Sequence, residues 1–465
     1  QESLMRKNRV VILNIASTLL LNLISFLTAP IFAALLGTGS YGDLSVFNTW
    51  VSVAVIVMTL HTTATIANAR VEYPEEEQPK YQSAAMSLSL MFFLICSGLV
   101  LLFLGPLSKL IDMEPVLIVM ILFTALGTFG VQFMSQKFTF EMKAGRNMAT
   151  AVSLAVVNLA VSLLFVLKLP EESRIYGRAA AQLLSYGAFG IPFCIAVLVK
   201  GRTFFEKRYW KLCLSLSVPV AFYGLTDLLL GHSDLVMLRS LAGSESSGIY
   251  GLAYQISNVM FTIFTALNTS WVAFFFNDMK QSHRDVVLRQ SRNFLELYTV
   301  LACGFILLAP EVFRLLATEA YWSGTGLIPV MVASFYLNFL CTFPYNYECF
   351  HKKMPMISAV TVASALVNIG LNYVLILKWG MMGAAVATLL SRVFQFAAHF
   401  LYSRFILGKS DYPFPARVWG IYALGFGVVM ALVILLPKFW VLRWALGAVL
   451  GVWEIIRIRK RRALI

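Results

Sequence analysis

Charge is what this chain has least of. Asp, Glu, Lys and Arg together make up 13% of its 465 residues, about half of the roughly 25% carried by a soluble domain. Hydrophobic residues make up 59%. So few polar side chains cannot cover a water-facing surface, which makes lipid the solvent for most of the chain. Catalytic signatures are missing as well. There is no P-loop, no GxSxG, no HExxH and no His/Cys cluster, and no stretch between apolar runs is long enough to form a soluble domain. A built-in ATPase is thereby excluded, and a membrane enzyme would lack a loop to hold its chemistry. No catalytic residue, metal site or cofactor is expected. The six cysteines are scattered with no CxxC pair, as suits small buried apolar residues and not a disulfide framework. Short alternating segments of a β-barrel are absent too.

What remains is a succession of apolar runs, each near the roughly 20 residues a helix needs to cross a bilayer. Helices satisfy their own backbone in hydrocarbon, so the fold expected is all-α and polytopic. About fourteen transmembrane helices follow, from 10–36 to 439–456, and the first is a retained span, too long for a signal-peptide core. Of 37 Lys and Arg, 27 fall in the N-terminus, the C-terminal tail and alternate loops on the same side, against 8 on the other. That asymmetry places both termini in the cytoplasm. It also accounts for the net charge of +14 as topology and lipid contact, with no nucleic acid as partner. The tail Arg457 to Arg462 reads as an anchor for anionic membrane lipids.

A duplication is the most specific signal. Val157-Asn158 to Leu167-Lys168 matches Val367-Asn368 to Leu377-Lys378 at an offset of 210. Gly177 to Ser185 matches Gly383 to Ser391, and Leu36-Gly37 to Gly42 matches Ala242-Gly243 to Gly248, both at 206. Six spans separate the copies, an even number, so both enter the membrane the same way as parallel repeats. The expected organisation is a six-helix bundle over 1–211, a second over 212–417, and an additional helix pair with a basic tail over 418–465. Rocking of one bundle against the other would give alternating access.

Three motifs carry a resemblance. Leu36-Gly37-Thr38-Gly39-Ser40-Tyr41-Gly42, then Asp234 with Gly243 and Gly248-Ile249-Tyr250-Gly251-Leu252-Ala253, and Gly380-Met381-Met382-Gly383-Ala384-Ala385-Val386-Ala387-Thr388 resemble the signatures of Wzx-type O-antigen and capsule-repeat flippases. These belong to the multidrug/oligosaccharidyl-lipid/polysaccharide (MOP) exporter superfamily, whose fold is V-shaped. The resemblance implies export of an undecaprenyl-pyrophosphate-linked oligosaccharide across a bacterial inner membrane, beside a polysaccharide polymerase and chain-length machinery. Many members have twelve spans. The extra pair departs from that number, though extra helices also occur in the related lipid II flippase. An ion-coupled multidrug or metabolite antiporter shares the duplicated plan and is the alternative, with a lipid-carrier-modifying enzyme third.

Charges inside spans cost about 2.5–3.5 kcal/mol each on insertion scales and need a reason. Arg392 is the deepest, and its repeat counterpart is Tyr186. Its guanidinium suits a phosphate, and an ion pair within the bundle is the other reading. Arg178, near the start of the sixth span, is a second substrate-binding candidate or a snorkelling side chain. Arg70, ending the second span, is a third, or an interface anchor. Asp227 and Asp234, seven apart on one helical stripe, are candidates for coupling to H⁺ or Na⁺. His61 and His232 are able to titrate, Asn158 and Asn368 suit interhelical bonding, and Glu311 with Arg314 reads as a structural i,i+3 pair.

Overall fold

The computed structural model describes residues 2–408 and 412–462, without the side chains of 2–22, 270, 273, 458 and 460–462. The side chains of Arg6, Lys7 and Arg9, and of Lys460, Arg461 and Arg462 in the tail, thus lie outside the described residues. Among the described residues every regular element is helical: α1 (Glu2–Met58), α2 (Ile66–Glu72), α3 (Gln78–Leu102), α4 (Leu104–Leu110), α5 (Pro115–Phe140), α6 (Ala144–Lys168), α7 (Arg174–Gly201), α8 (Lys207–Ala242), α9 (Ser244–Lys280), α10 (Arg284–Leu316), α11 (Leu327–Phe350), α12 (Met354–Leu401), α13 (Ala416–Leu435) and α14 (Trp440–Arg462). Eleven helices there are long and apolar enough to cross a membrane. Two of them are double, because α1 breaks at Gly37 and α12 at Gly380, where φ is 73° and 54°. With α14, of 23 residues and not one of the eleven, fourteen helical segments result, the number the hydropathy predicts.

The second crossing is not continuous. After Met58 the chain passes through Leu60 and His61, both at positive φ (54° and 48°). A 3₁₀ turn over Thr62–Thr65 and then α2 follow. Ser89 Oγ donates to the carbonyl of Thr59 at 3.1 Å, and Thr62 and Ser89 hydroxyls meet at 2.5 Å. These bonds replace helical ones, which makes a break tolerable at membrane depth.

The chain divides into two compact units, Gln1–Ser240 and Leu241–Ile465. The division falls in the last turn of α8 and not at 211/212, where the repeat suggests it. The reason is visible at both ends of that helix. Trp210 Nε1 donates to the Ala84 carbonyl at 3.0 Å and Tyr209 to Glu77 at 2.9 Å. At the far end, Arg239 pairs with Asp43 at 2.5 Å.

Within the first unit α5 and α7 cross with their backbones touching. A Cβ added at Gly127 would meet the Tyr186 carbonyl carbon at 2.6 Å, and one at Gly130 or Gly190 would overlap the other helix's carbonyl group. Only glycine permits this approach, the small-residue packing of membrane helices.

The duplication is visible in local geometry. Gly37 and Gly243 share one left-handed-side conformation (φ 73°, ψ 170° and φ 88°, ψ 164°). Gly177 and Gly383 each press on the preceding helix at equivalent points, Phe165 and Leu375. The interiors differ. The second unit is filled by aromatic rings, with Tyr298 and Phe339 4.2 Å apart between centroids and Tyr336 stacked on Phe426 at 4.3 Å.

Phe426 belongs to α13, so the additional pair is part of the second unit's core. Ion pairs hold it at two levels of α10: Arg443 with Glu311, and Arg457 with Glu296, to which Tyr422 also donates at 3.2 Å. Glu311 therefore pairs with Arg443 and not with Arg314, whose guanidinium sits 5.8 Å from the Trp322 ring centre. Arg457 is likewise drawn to a buried carboxylate and not only to lipid. Arg443 is fully buried, so Glu311→Ala is expected to cost about 3 kcal/mol, the effect of stranding a buried charge. A fall in the thermal midpoint of the purified protein reads it, and Glu311→Leu combined with Arg443→Leu recovers most of the loss.

Candidate functional site

A cavity of about 730 Å³ lies in the first unit. One face of each of four helices lines it, and the register follows the 3.6-residue period. Ser25, Thr28 and Phe32 come from α1; Thr128, Gln132, Ser135 and Gln136 from α5; Asn147, Thr150, Leu154 and Asn158 from α6; Arg178, Gln182 and Tyr186 from α7. Asn48 completes the wall with His61 and Thr63, presented by the break after α1. Irregular backbone at membrane depth is found where it lines a cavity, and here it does.

The lining is rich in amides and hydroxyls, and among the described residues Arg178 is its only charged side chain. Arg178 Nη1 donates to Ser162 Oγ at 2.9 Å and to Asn158 Oδ1 at 3.2 Å. Its guanidinium carbon lies 4.5 Å from the Phe32 ring centre, and Nε is buried with no partner. All these partners are neutral, and no carboxylate among the described lining residues compensates the charge. Gln182, one turn further along α7, is 8% exposed with Oε1 unpartnered, and His61 Nδ1 is also buried without a partner. Arg178 is therefore a cavity residue and not a snorkelling one. Asn158, expected in interhelical bonding like Asn368, orients it. Asn368 bonds Thr388 at 3.3 Å and Asn372 at 3.0 Å instead.

None of the other candidates is in the lining of this cavity. Arg70 is exposed in the last turn of α2. Arg392 is half-buried in the second unit, donating to Gln395 at 2.8 Å and Asn338 at 3.5 Å. Its partners are amides, and among the described residues it forms no ion pair. Asp227 is exposed on α8, while Asp234 is 2% exposed and accepts from the Leu235 amide at 2.9 Å. The shared stripe does not give the two acids one environment, and neither lines the cavity.

Looking for charge alone misses most of the site. The signal is nonetheless in the sequence: Thr128, Gln132, Ser135 and Gln136 recur at i, i+4, i+7 and i+8 in an otherwise apolar helix, and Asn147, Thr150 and Asn158 continue the pattern in the next.

Residues 8–276, more than half of the chain, match the family described as Polysaccharide biosynthesis protein. No curated protein sequence matches. Among solved structures, the chain is similar to the lipid II flippase MurJ in an inward closed conformation, with a TM-score of 0.62 at 15% identity and 98% of each chain covered. It is also similar to an inward-facing multidrug resistance MATE family transporter of the MOP superfamily, with a TM-score of 0.65 at 14% identity over 85% of this chain and 98% of that one. The Vibrio cholerae MATE transporter VcmN gives 0.58 at 14%, over 88% and 98%. The chain is thus a polytopic helical membrane protein with the fold of the MOP superfamily, and it belongs to the polysaccharide biosynthesis protein family.

Proposed function

We propose that this protein flips a lipid-linked oligosaccharide, an undecaprenyl-pyrophosphate-linked repeat unit, from the cytoplasmic to the periplasmic leaflet of a bacterial inner membrane. The cavity of the first unit receives the polar head, and the work is transport, not catalysis. The observation that carries this reading is the lining: among the described residues it offers amides and hydroxyls with one arginine and no carboxylate. Sugar hydroxyls both donate and accept, as amides do, and a pyrophosphate or acidic sugar supplies the anion that Arg178 lacks. An exporter of organic cations needs the opposite, a carboxylate in its cavity, so the same lining weighs against the multidrug antiporter. Arg392 and Arg70 are proposed as further phosphate contacts along the path. Coupling of export to H⁺ or Na⁺ through Asp227 and Asp234 is also part of the proposal, as is a polymerase partner downstream.

The test is complementation. In a flippase-deficient strain supplied with known repeat units, the chain is expected to restore surface polysaccharide. Restored drug resistance without polysaccharide would hand the function to the antiporter. Orientation has its own measurement. Single cysteines at Ser40 and Ser323 are expected to label from the periplasm and one at Ser282 only after permeabilisation, whereas Ser410, a fourth position for this test, lies outside the described residues. Reversed labelling at two sites would overturn the cytoplasmic placement of the termini.

A further inference from the structure

We propose that Glu348 and His399, buried together in the second unit, form a proton-binding site that couples the transport cycle to a proton gradient. The coupling rests on the transport reading above; the proton binding does not.

Neither side chain has any exposure. His399 Nδ1 lies 2.9 Å from Glu348 Oε2, and Ser403 Oγ donates to Glu348 Oε1 at 2.9 Å. The other ring nitrogen, Nε2, is buried with no partner. A lone carboxylate is very costly in so dry a place. The pair is neutral when it holds one proton, as carboxylic acid beside imidazole or as carboxylate beside imidazolium. It carries a net negative charge when it holds none. One proton taken from water, passed along the existing contact between Oε2 and Nδ1, thus separates a state that tolerates burial from one that demands water. Ionisable groups at membrane depth serve as proton relays for this reason.

The backbone around the pair is irregular on both helices. Pro344, one turn before Glu348, lacks the N–H of a regular helix, and its carbonyl accepts from Ser403 Oγ at 3.3 Å. Beyond His399 the chain widens into a π-turn over Tyr402–Leu407, a distortion often found at functional sites. A cavity of about 260 Å³ is lined by Tyr347, His351, Leu407 and Gly408, which flank Glu348 on one side and end the π-turn on the other. The charged and titratable groups around the pair include Cys341, Tyr345, Tyr347 and Cys349 on α11, Arg392 on α12, Arg404 in the π-turn and Tyr412 beyond it, with Arg284 and His351 at the small cavity. Burial, and then the charge of Glu348, push the Tyr412 phenol well above its usual range, so it remains a neutral neighbour. The architecture does not demand this pair, because the repeat offset that aligns Gly383 with Gly177 places Phe193 at the position of His399.

Potentiometric titration of the purified full-length protein tests the site without any substrate. Glu348→Gln keeps the shape and an acceptor for Ser403 but holds no exchangeable proton. Over the whole titrated range the wild type is expected to exchange one proton more than this variant. His399→Gln, read the same way, covers the case in which Glu348→Gln does not accumulate. Superimposable titrations mean the pair never exchanges its proton, and the site is then overturned. In the flippase-deficient strain, Glu348→Gln is expected to lower surface polysaccharide by about tenfold or more at unchanged membrane abundance. Normal polysaccharide from this variant would overturn the coupling even with the titration as expected. A wild type that restores no polysaccharide would remove the transport reading and the coupling with it, while the titration still decides the proton site.

Discussion

Arg178→Ala is expected to lower export of the lipid-linked oligosaccharide by about ten- to a hundredfold, the effect of losing charge-assisted hydrogen bonds of roughly 1.5–3 kcal/mol. The amount of protein in the membrane should stay normal. The second half of that statement comes from the repeat. At the offset of 206 that aligns Gly177 with Gly383, Arg178 aligns with Ala384, which is fully buried in the second unit. An alanine is therefore what the same helix carries where no cavity needs a cation. Arg178→Lys keeps the charge, but a single ammonium cannot reproduce the planar guanidinium, whose Nη1 donates to Ser162 and Asn158 while its other N–H groups are left for an anion. It is expected to recover only part of the export. The comparison needs export and abundance measured side by side. Normal export from Arg178→Ala would show that the cavity's charge does not hold the cargo. A parallel loss of protein would make the arginine a structural residue.

The second large effect concerns the wall that carries Arg178. Gly190→Leu on α7, or Gly130→Leu on α5, is expected to remove most folded protein from the membrane. Even the first added carbon would sit inside the facing backbone, and backbone cannot rotate away as a side chain can. Overpacking a well-filled site costs typically 1–3 kcal/mol, and a clash with main chain belongs at or beyond the upper end. Because α5 supplies Gln132 and Gln136 and α7 supplies Gln182 and Tyr186, forcing the helices apart also dismantles the cavity. Gly98→Leu is the control, since nothing lies within 4 Å of its added Cβ. Size-exclusion profile and thermal midpoint of the purified variants check this. Equal midpoints for Gly190→Leu and Gly98→Leu would mean the two helices do not meet as described.

Much of this architecture is legible in the residues. Fourteen helical segments follow from hydropathy, because bilayer thickness sets a length that few soluble elements share. The repeat survives in glycines for a steric reason: Gly37 and Gly243 adopt a conformation that side chains resist, and Gly177 and Gly383 touch a preceding helix. The break at Leu60 and His61 is not legible, since neither is glycine or proline and the surrounding hydropathy is continuous. Tertiary bonds from Ser89 make it tolerable, and those cannot be read along the chain. Partners distant in sequence were hidden for the same reason, as Glu311 shows by choosing Arg443 over its own helix neighbour. The division in the last turn of α8 depends on Arg239 reaching Asp43, 196 positions away. Most of the cavity lining was present as polar stripes on α5 and α6, but a search for charge passes over amides.

The most direct test of the cargo and its site is transbilayer movement in reconstituted vesicles. Purified protein is placed in liposomes holding an undecaprenyl-pyrophosphate-linked oligosaccharide, and the fraction of glycan reached by an external modifying enzyme is followed with time. Wild type is expected to expose glycan from the inner leaflet well above protein-free vesicles. Arg178→Ala should fall back toward that background, and a free organic cation should not compete. Equal rates with and without the protein, or competition by the organic cation, would contradict an oligosaccharide cargo held in the first unit's cavity.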